Sequence, residues 1–160
     1  MSHKLPTVAI IGQANVGKSS LFNRLTRART AIVAREAGTT RDNVVGKVSY
    51  KRRTSSPDEA SQAEFWLIDT AGLKPAEDEF EATIQDQIAD ASAAADVILV
   101  MVDSTVYPSD ADRQLAKKAL KSGKPVLLIA NKADLKGSLH TDEFKRLGIK
   151  TIIKTLSLIH

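Results

Sequence analysis

The chain has 160 residues, enough for one domain with a single buried core. Hydrophobic residues make up 42% and charged residues 26%, a globular balance that excludes wholesale disorder and fibrous repeats. Cysteine is absent, which removes a disulfide framework, a thiolate zinc site and a cysteine nucleophile together, and the net charge of +4 admits an anionic partner such as a nucleotide or RNA without requiring one.

Met1–Pro6 carries one lysine, and only four apolar residues, Val8–Ile11, follow before Gly12, too few for an export signal. The longest apolar run, Val97–Val102, falls far short of the ~20 residues of a membrane span. A soluble, cytoplasmic chain with no membrane partner is expected.

Thr7–Ile11 is continuously apolar after its threonine and predicts a strand buried on both faces. Gly12-Gln13-Ala14-Asn15-Val16-Gly17-Lys18-Ser19 follows at once and fits G-x-x-x-x-G-K-[ST]. Leu21, Phe22, Leu25 and Ala28 share one face of a helix over Ser19–Ala28, and Ser20 counts with the loop among the expected nucleotide-binding residues. Strand, glycine loop and helix in that order make a phosphate cradle. Successive backbone N–H groups curl around a polyphosphate and the helix adds its positive end. Lys18 is a point charge for the outer phosphates and the Ser19 hydroxyl reaches Mg²⁺.

Asn43–Tyr50 alternates weakly and predicts an antiparallel edge hairpin. Its polar tip within Lys51–Glu64, with Arg52 and Arg53, reads as a solvated loop or, in the alternative, as a partner-binding one. Phe65–Ile68 predicts a strand that ends in Asp69-Thr70-Ala71-Gly72. Asp69 can serve the Mg²⁺ shell, and Gly72 lets a backbone N–H approach a terminal phosphate. Glu77, Asp78, Glu79 and Glu81 suit a helix start, and Ile84, Ile88, Ala91 and Ala95 share the face of that helix.

Val97–Val102 predicts the next strand. Pro108, Ser109 and Asp110 predict a helix start, with Leu115, Ala119 and Leu120 on one face. Val126–Ala130 predicts a strand that ends in Asn131-Lys132-Ala133-Asp134. A carboxylate there accepts from the N1–H and N2 amino group of guanine, and adenine offers neither donor. The Lys132 stem can lie against a base plane. Lys150–Leu156 predicts the last strand. Strand–helix alternation makes an α/β fold, a mostly parallel sheet with one antiparallel edge strand, and its carboxyl ends are where such sheets bind ligands.

The stretches VAIIGQANVGKSSLFNRLT, GTTRD, LIDTAGL, ADVILVMVD and ANKAD resemble the TrmE–Era–EngA family of bacterial GTPases. TRARTAIVA and PSDADRQLAKKAL point to its tandem-domain EngA branch, and the resemblance covers nearly the whole chain. It implies a P-loop NTPase of the Ras-like G-domain type that hydrolyses GTP to GDP, as a switch in large ribosomal subunit assembly. A TrmE-like tRNA-modification GTPase or an Era-like RNA-binding GTPase is the alternative. The resemblance makes Thr40 the first-switch ligand of Mg²⁺ and sensor of the γ-phosphate, and Asp69–Leu73 the start of the second switch. Leu73 takes the place of a water-orienting glutamine, and Glu81 resembles a water-orienting glutamate. Asn15 stands where these GTPases hold K⁺.

Ser157-Leu158 stands where the family has a Ser-Ala pair whose backbone N–H reaches guanine O6, and Leu158 is larger than that alanine. Gln13 and Ala14 replace a usual Arg-Pro, at positions where backbone groups are expected to act. A helix is expected after the last strand and is absent at His160, so residues 1–160 read as one G domain of a longer tandem-GTPase protein. Ribosomal RNA, reached through that longer protein, is the expected macromolecular partner, with no DNA. Arg24, Arg27, Arg29, Arg52 and Arg53 either meet it or form a solvated face. His3, His140 and His160 have no metal-ligand spacing.

Overall fold

Thr7–Gly12 forms β1, the third strand of a sheet whose order is β2-β3-β1-β4-β5-β6. The structure, a computed structural model, describes residues 4–13, 16–26, 44–51, 62–70, 88–89 and 91–156. The other strands are β2 (Val44–Lys51), β3 (Gln62–Asp69), β4 (Val97–Asp103), β5 (Val126–Asn131) and β6 (Ile152–Lys154). β1 pairs in parallel with β3 (Val8 opposite Leu67) and with β4 (Val8 opposite Val97), and β4–β5 and β5–β6 are parallel too. β2 runs antiparallel to β3, Lys47 opposite Trp66, and makes the expected edge. β3 begins at Gln62, so Gln62–Glu64, expected within the hairpin tip, already belong to the ladder.

Successive strand residues face opposite sides of the sheet, and both sides are buried. Ile10, Leu67, Met101 and Ile129 pack under α1 (Lys18–Thr26), against Leu21 and Phe22. Their neighbours Ala9, Ile11, Ile98, Val100, Val102, Leu128 and Ala130 face Ala91 and Ala95 and the helix α2 (Asp110–Lys121). This two-sided burial is why the apolar runs carry no alternation.

α2 starts as its sequence suggests. Ser109 Oγ accepts from the Asp112 N–H and the Asp112 carboxylate accepts from the Ser109 N–H, a capping box. Its buried face is Ala111, Leu115, Ala116 and Ala119. Leu120 does not share the face expected for it and is 43% exposed, because nine positions at 100° each put it opposite Ala111. A single-stretch 3₁₀ helix, Thr141–Leu147, has no counterpart among the sequence expectations. It inserts the fully buried Phe144 beside α2 and ends at Gly148, where φ is 81°. β6 is shorter than the expected Lys150–Leu156; Ile153 within it and Leu156 after it are exposed.

Candidate nucleotide-binding site

The described site residues gather at the carboxyl ends of β1, β3, β4 and β5. Gly12 closes β1 against β4, where a Cβ would lie 2.6 Å from the Met101 carbonyl oxygen. Gly17, at the entry to α1, has φ +105°, and a Cβ there would lie 2.3 Å from Asn131 Nδ2. Only glycine meets both demands at Gly17. The close neighbour explains them. Asn131 Nδ2 donates to the Val16 carbonyl at 2.9 Å, so the end of β5 is bonded to the phosphate loop.

Lys18 is buried, and its Nζ donates to the carbonyl oxygens of Gly12 and, at 3.3 Å, Gln13. Burial pulls its pKa below the ordinary lysine value, and the Asp69 carboxylate acts in the opposite sense. A cation desolvated in this way is favoured by any further negative charge, which is what a phosphate supplies. Asp69 is buried at the end of β3, with its Oδ2 3.3 Å from the Ser19 hydroxyl that donates to it. A hydroxyl and a carboxylate at that distance are the hard, paired oxygen donors that Mg²⁺ takes alongside phosphate oxygens and water, so the residues fit that ion. The next residue, Thr70, donates from Oγ1 to the Ile10 carbonyl at 3.1 Å and fixes the exit of β3 against β1.

The other part of the site is a tight turn after β5. Asn131 is buried there, and its Oδ1 accepts from Thr155 Oγ1 at 2.8 Å. Its carbonyl accepts from Ser104 Oγ at 2.6 Å and the Ser104 N–H at 2.9 Å. Lys132 has φ 63°, the left-handed region, and its Nζ meets Asp103 Oδ2 at 2.9 Å. The other Asp103 oxygen accepts from the Thr105 N–H at 2.9 Å and Thr105 Oγ1 at 2.6 Å. Burial pushes the Asp103 carboxyl up, but the bonds from Thr105 and Lys132 outweigh it and hold the pKa below the ordinary carboxylate value. The Ala133 N–H donates to the Thr155 carbonyl at 3.0 Å, and Asp134 follows on the exposed side of the turn.

Gly12, Gln13, Val16, Gly17, Lys18, Ser19, Asp69, Thr70, Asn131, Lys132 and Ala133 thus lie in one connected set, with Ser20 exposed on α1 and Asp134 at the rim. Ala14, Asn15, Thr40, Ala71, Gly72, Leu73, Glu81, Ser157 and Leu158 lie outside the described residues, as do Arg27, Arg29, Arg52 and Arg53. Sequence reasoning missed Asp103 and Thr155. Asp103 carried a signal, since it closes an apolar strand as Asp69 does; a threonine in a short edge segment carried none.

A glycine loop between a central parallel strand and a helix, a carboxylate ending the next strand, and an Asn-Lys-x-Asp turn bonded back to the loop define a P-loop nucleotide-binding G domain. Residues 7–132 match the 50S ribosome-binding GTPase family, and the chain belongs to that family. It is similar to GTPase Der of Porphyromonas gingivalis, 45% identical over 128 residues that make up 79% of this chain and 27% of that protein. The chain spans about a third of the length of the curated relatives it matches, 31% and 32% in the Der proteins of Cytophaga hutchinsonii and Gemmatimonas aurantiaca. Among solved structures it is similar to Aquifex aeolicus Era bound to GDP.AlF4-, with TM-score 0.66 and 28% identity over 96% of this chain and 52% of that one. A structure of Era with MgGDPNP and 16S ribosomal RNA is similar with TM-score 0.64 and 28% identity, over the same shares of the two chains.

Proposed function

We propose that this domain binds GTP and hydrolyses it to GDP and phosphate, as a nucleotide switch within a longer protein that acts in large ribosomal subunit assembly. The observation that carries the reading is the bond from Asn131 Nδ2 to the Val16 carbonyl. It joins the turn suited to a base to the loop suited to phosphates. A ligand that engages both must carry a base at one end and a polyphosphate at the other.

Each residue then has a task. Lys18 and the backbone N–H groups from Gly12 to Ser20 hold the phosphates, and Asp134 selects guanine by accepting from its N1–H and N2 amino group. Lys132 and Ala133 frame the base, and the backbone N–H of Ser157-Leu158 reaches its O6. Ser19, Asp69 and Thr40 hold Mg²⁺, which when bound neutralises charge on the phosphate oxygens. Asp69 through Leu73 form the second switch, with the Gly72 N–H at the γ-phosphate. Leu73 cannot orient water. Asn15 would hold K⁺, which would supply positive charge for the phosphate oxygens, and Glu81 would orient the attacking water. The relatives named Der and the family description support a ribosomal partner. No helix among the described residues is long and apolar enough to cross a membrane.

The Era likeness favours one second reading, an RNA-binding GTPase acting on the small subunit. Titration with fluorescent GTP, GDP and ATP, followed by phosphate release in KCl and NaCl at equal ionic strength, tests the main reading. Tight GTP and GDP binding, weak ATP binding and faster hydrolysis in K⁺ are expected. Equal affinity for ATP would overturn the guanine assignment, and equal rates in both salts the role of Asn15. Co-sedimentation of the full-length protein with 50S rather than 30S subunits separates the two ribosomal readings.

A further inference from the structure

Gln13 stands in the phosphate loop at a position where only the backbone is expected to act. Its side chain is engaged all the same. Nε2 donates to Ser109 Oγ at 2.6 Å and to Asp112 Oδ1 at 2.7 Å, 96 and 99 positions away. The Asp112 carboxylate can only accept, so the amide nitrogen must be the atom that faces it. Both acceptors are fixed before Gln13 reaches them. Asp112 is buried, its Oδ2 accepts from the Ser109 N–H at 3.0 Å, and Ser109 Oγ accepts from the Asp112 N–H at 3.2 Å. The two hydrogens of one amide therefore meet two preset acceptors, one of them charged. The loop is then tied at two points, at Gln13 to the cap of α2 and at Val16 to Asn131. The tie also bears on Lys18, whose Nζ bonds to the Gln13 carbonyl.

We propose that Gln13 is a positioning residue that anchors the phosphate loop to the capping box of α2, so that Ser109 and Asp112, which need not touch the nucleotide, set its affinity. The proposal rests on the reading of this loop as a phosphate site. A loop held in its binding geometry loses less freedom when the ligand arrives, and the gain appears as tighter binding. It also means that Asp112 serves the start of α2 and the phosphate loop at once.

The probe is fluorescent GDP with Mg²⁺, titrated into the full-length protein. Gln13→Met keeps length and removes the donors, and should weaken binding about tenfold, the size expected of a bond to a charged acceptor. Gln13→Glu sets a carboxylate against Asp112 and should weaken it further. Gln13→Arg restores donors toward Asp112 and should bring affinity back to within about threefold of wild type. The melting temperature of Gln13→Met should fall by no more than a few degrees, since Gln13 is half-buried and Asp112 keeps its bond from the Ser109 N–H. In an Asp112→Asn background the Gln13→Met step should cost clearly less than tenfold, about threefold, because the acceptor has lost its charge while its amide oxygen and Ser109 Oγ still accept. Wild-type-like affinity in Gln13→Met, or a full tenfold step in the Asp112→Asn background, would overturn the proposal. Should Gln13→Met fail to fold, the ordering of Gln13→Arg above Gln13→Glu decides. Failure of the wild-type protein to bind the probe would instead strike down the nucleotide-site reading, and the proposal with it.

Discussion

Asn131 and Asp134 sit three positions apart in one turn, yet they belong to different parts of the molecule in a physical sense. Asn131 is buried, and its two side-chain ends are bonded to Val16 and Thr155. Asp134 is exposed at the rim. The same split runs through the whole site. At the end proposed to hold phosphate, the Gln13 and Asn131 side chains bond to Asp112 and to the Val16 carbonyl, and the buried Lys18 is the one charged side chain proposed to meet the ligand. At the other end, Asp134, the group proposed to select the base, is a side chain on the surface. A change at the phosphate end should therefore harm loop geometry and every nucleotide alike, whereas a change at Asp134 should alter which base is preferred and leave the fold intact.

The largest expected effect is at Gly17. A Cβ would lie 2.3 Å from Asn131 Nδ2, and the backbone there is at φ +105°. Gly17→Ala should cost at least ~100-fold in affinity for GDP, GTP and xanthosine triphosphate together, since either Asn131 or the loop must move. Isothermal titration with each ligand checks it. A variant that lost only one of them would contradict the view of this end as indifferent to the base.

Asn131→Asp comes next. It replaces the donor facing the Val16 carbonyl with an acceptor, and buries a charge. A cost of roughly 2–4 kcal/mol in stability is expected, together with weaker binding of all nucleotides. For a domain of this size that is a fall of roughly 5–15 °C in melting temperature, readable by calorimetry. Asp134→Asn should differ in kind. Its melting temperature should hold, surface substitutions being usually within ±0.5 kcal/mol. GTP affinity should fall at least ~10-fold and xanthosine triphosphate should bind better, because the new amide turns an acceptor into a donor. If the melting temperature fell as far as in Asn131→Asp, the contrast between the two residues would be lost.

The sequence carried one side of this contrast well and the other poorly. The strands were legible because two-sided burial requires continuous apolar runs, as in Val97–Val102, and the loop because its glycines and lysine keep fixed spacing. The edge hairpin was legible from weak alternation. What failed was of two sorts. Leu120 was placed on the buried face of α2 because it is apolar, although helical geometry turns it away from Ala111. The 3₁₀ helix around Phe144 went unseen because Thr141–Leu147 is too short to display a period. Within the site, Gln13 and Thr155 act through partners 96 and 24 positions away, and no local pattern announces such a pair, whereas Asp103, 29 positions from Lys132, shows only as the residue that closes an apolar strand.

The smallest effect should come from the ion pair under the base turn. Asp103 Oδ2 and Lys132 Nζ are 2.9 Å apart, each side chain about one-fifth exposed (18% and 21%). Asp103→Asn keeps the shape, retains a neutral acceptor toward Thr105 or Lys132, and removes the charge. A loss of roughly 1 kcal/mol is expected at neutral pH, as for a partly solvated pair. Its pH dependence has a definite sign. Burial pushes the Asp103 carboxyl up, but the bonds from Thr105 and Lys132 outweigh it, so the folded-state pKa lies below the unfolded one. The stability it contributes is therefore complete above the unfolded value of ~3.9 and is lost as pH falls through the lower folded value. The difference in unfolding free energy between wild type and Asp103→Asn, from denaturant titrations, should stay level from about pH 7 down to about pH 5 and close only below about pH 4. Affinity for GTP should drop only about twofold, because Lys132 is loosened and Asp134 is untouched. A loss as large as that of Asp134→Asn would place the selectivity of this end in the Lys132 anchor and not in the rim carboxylate.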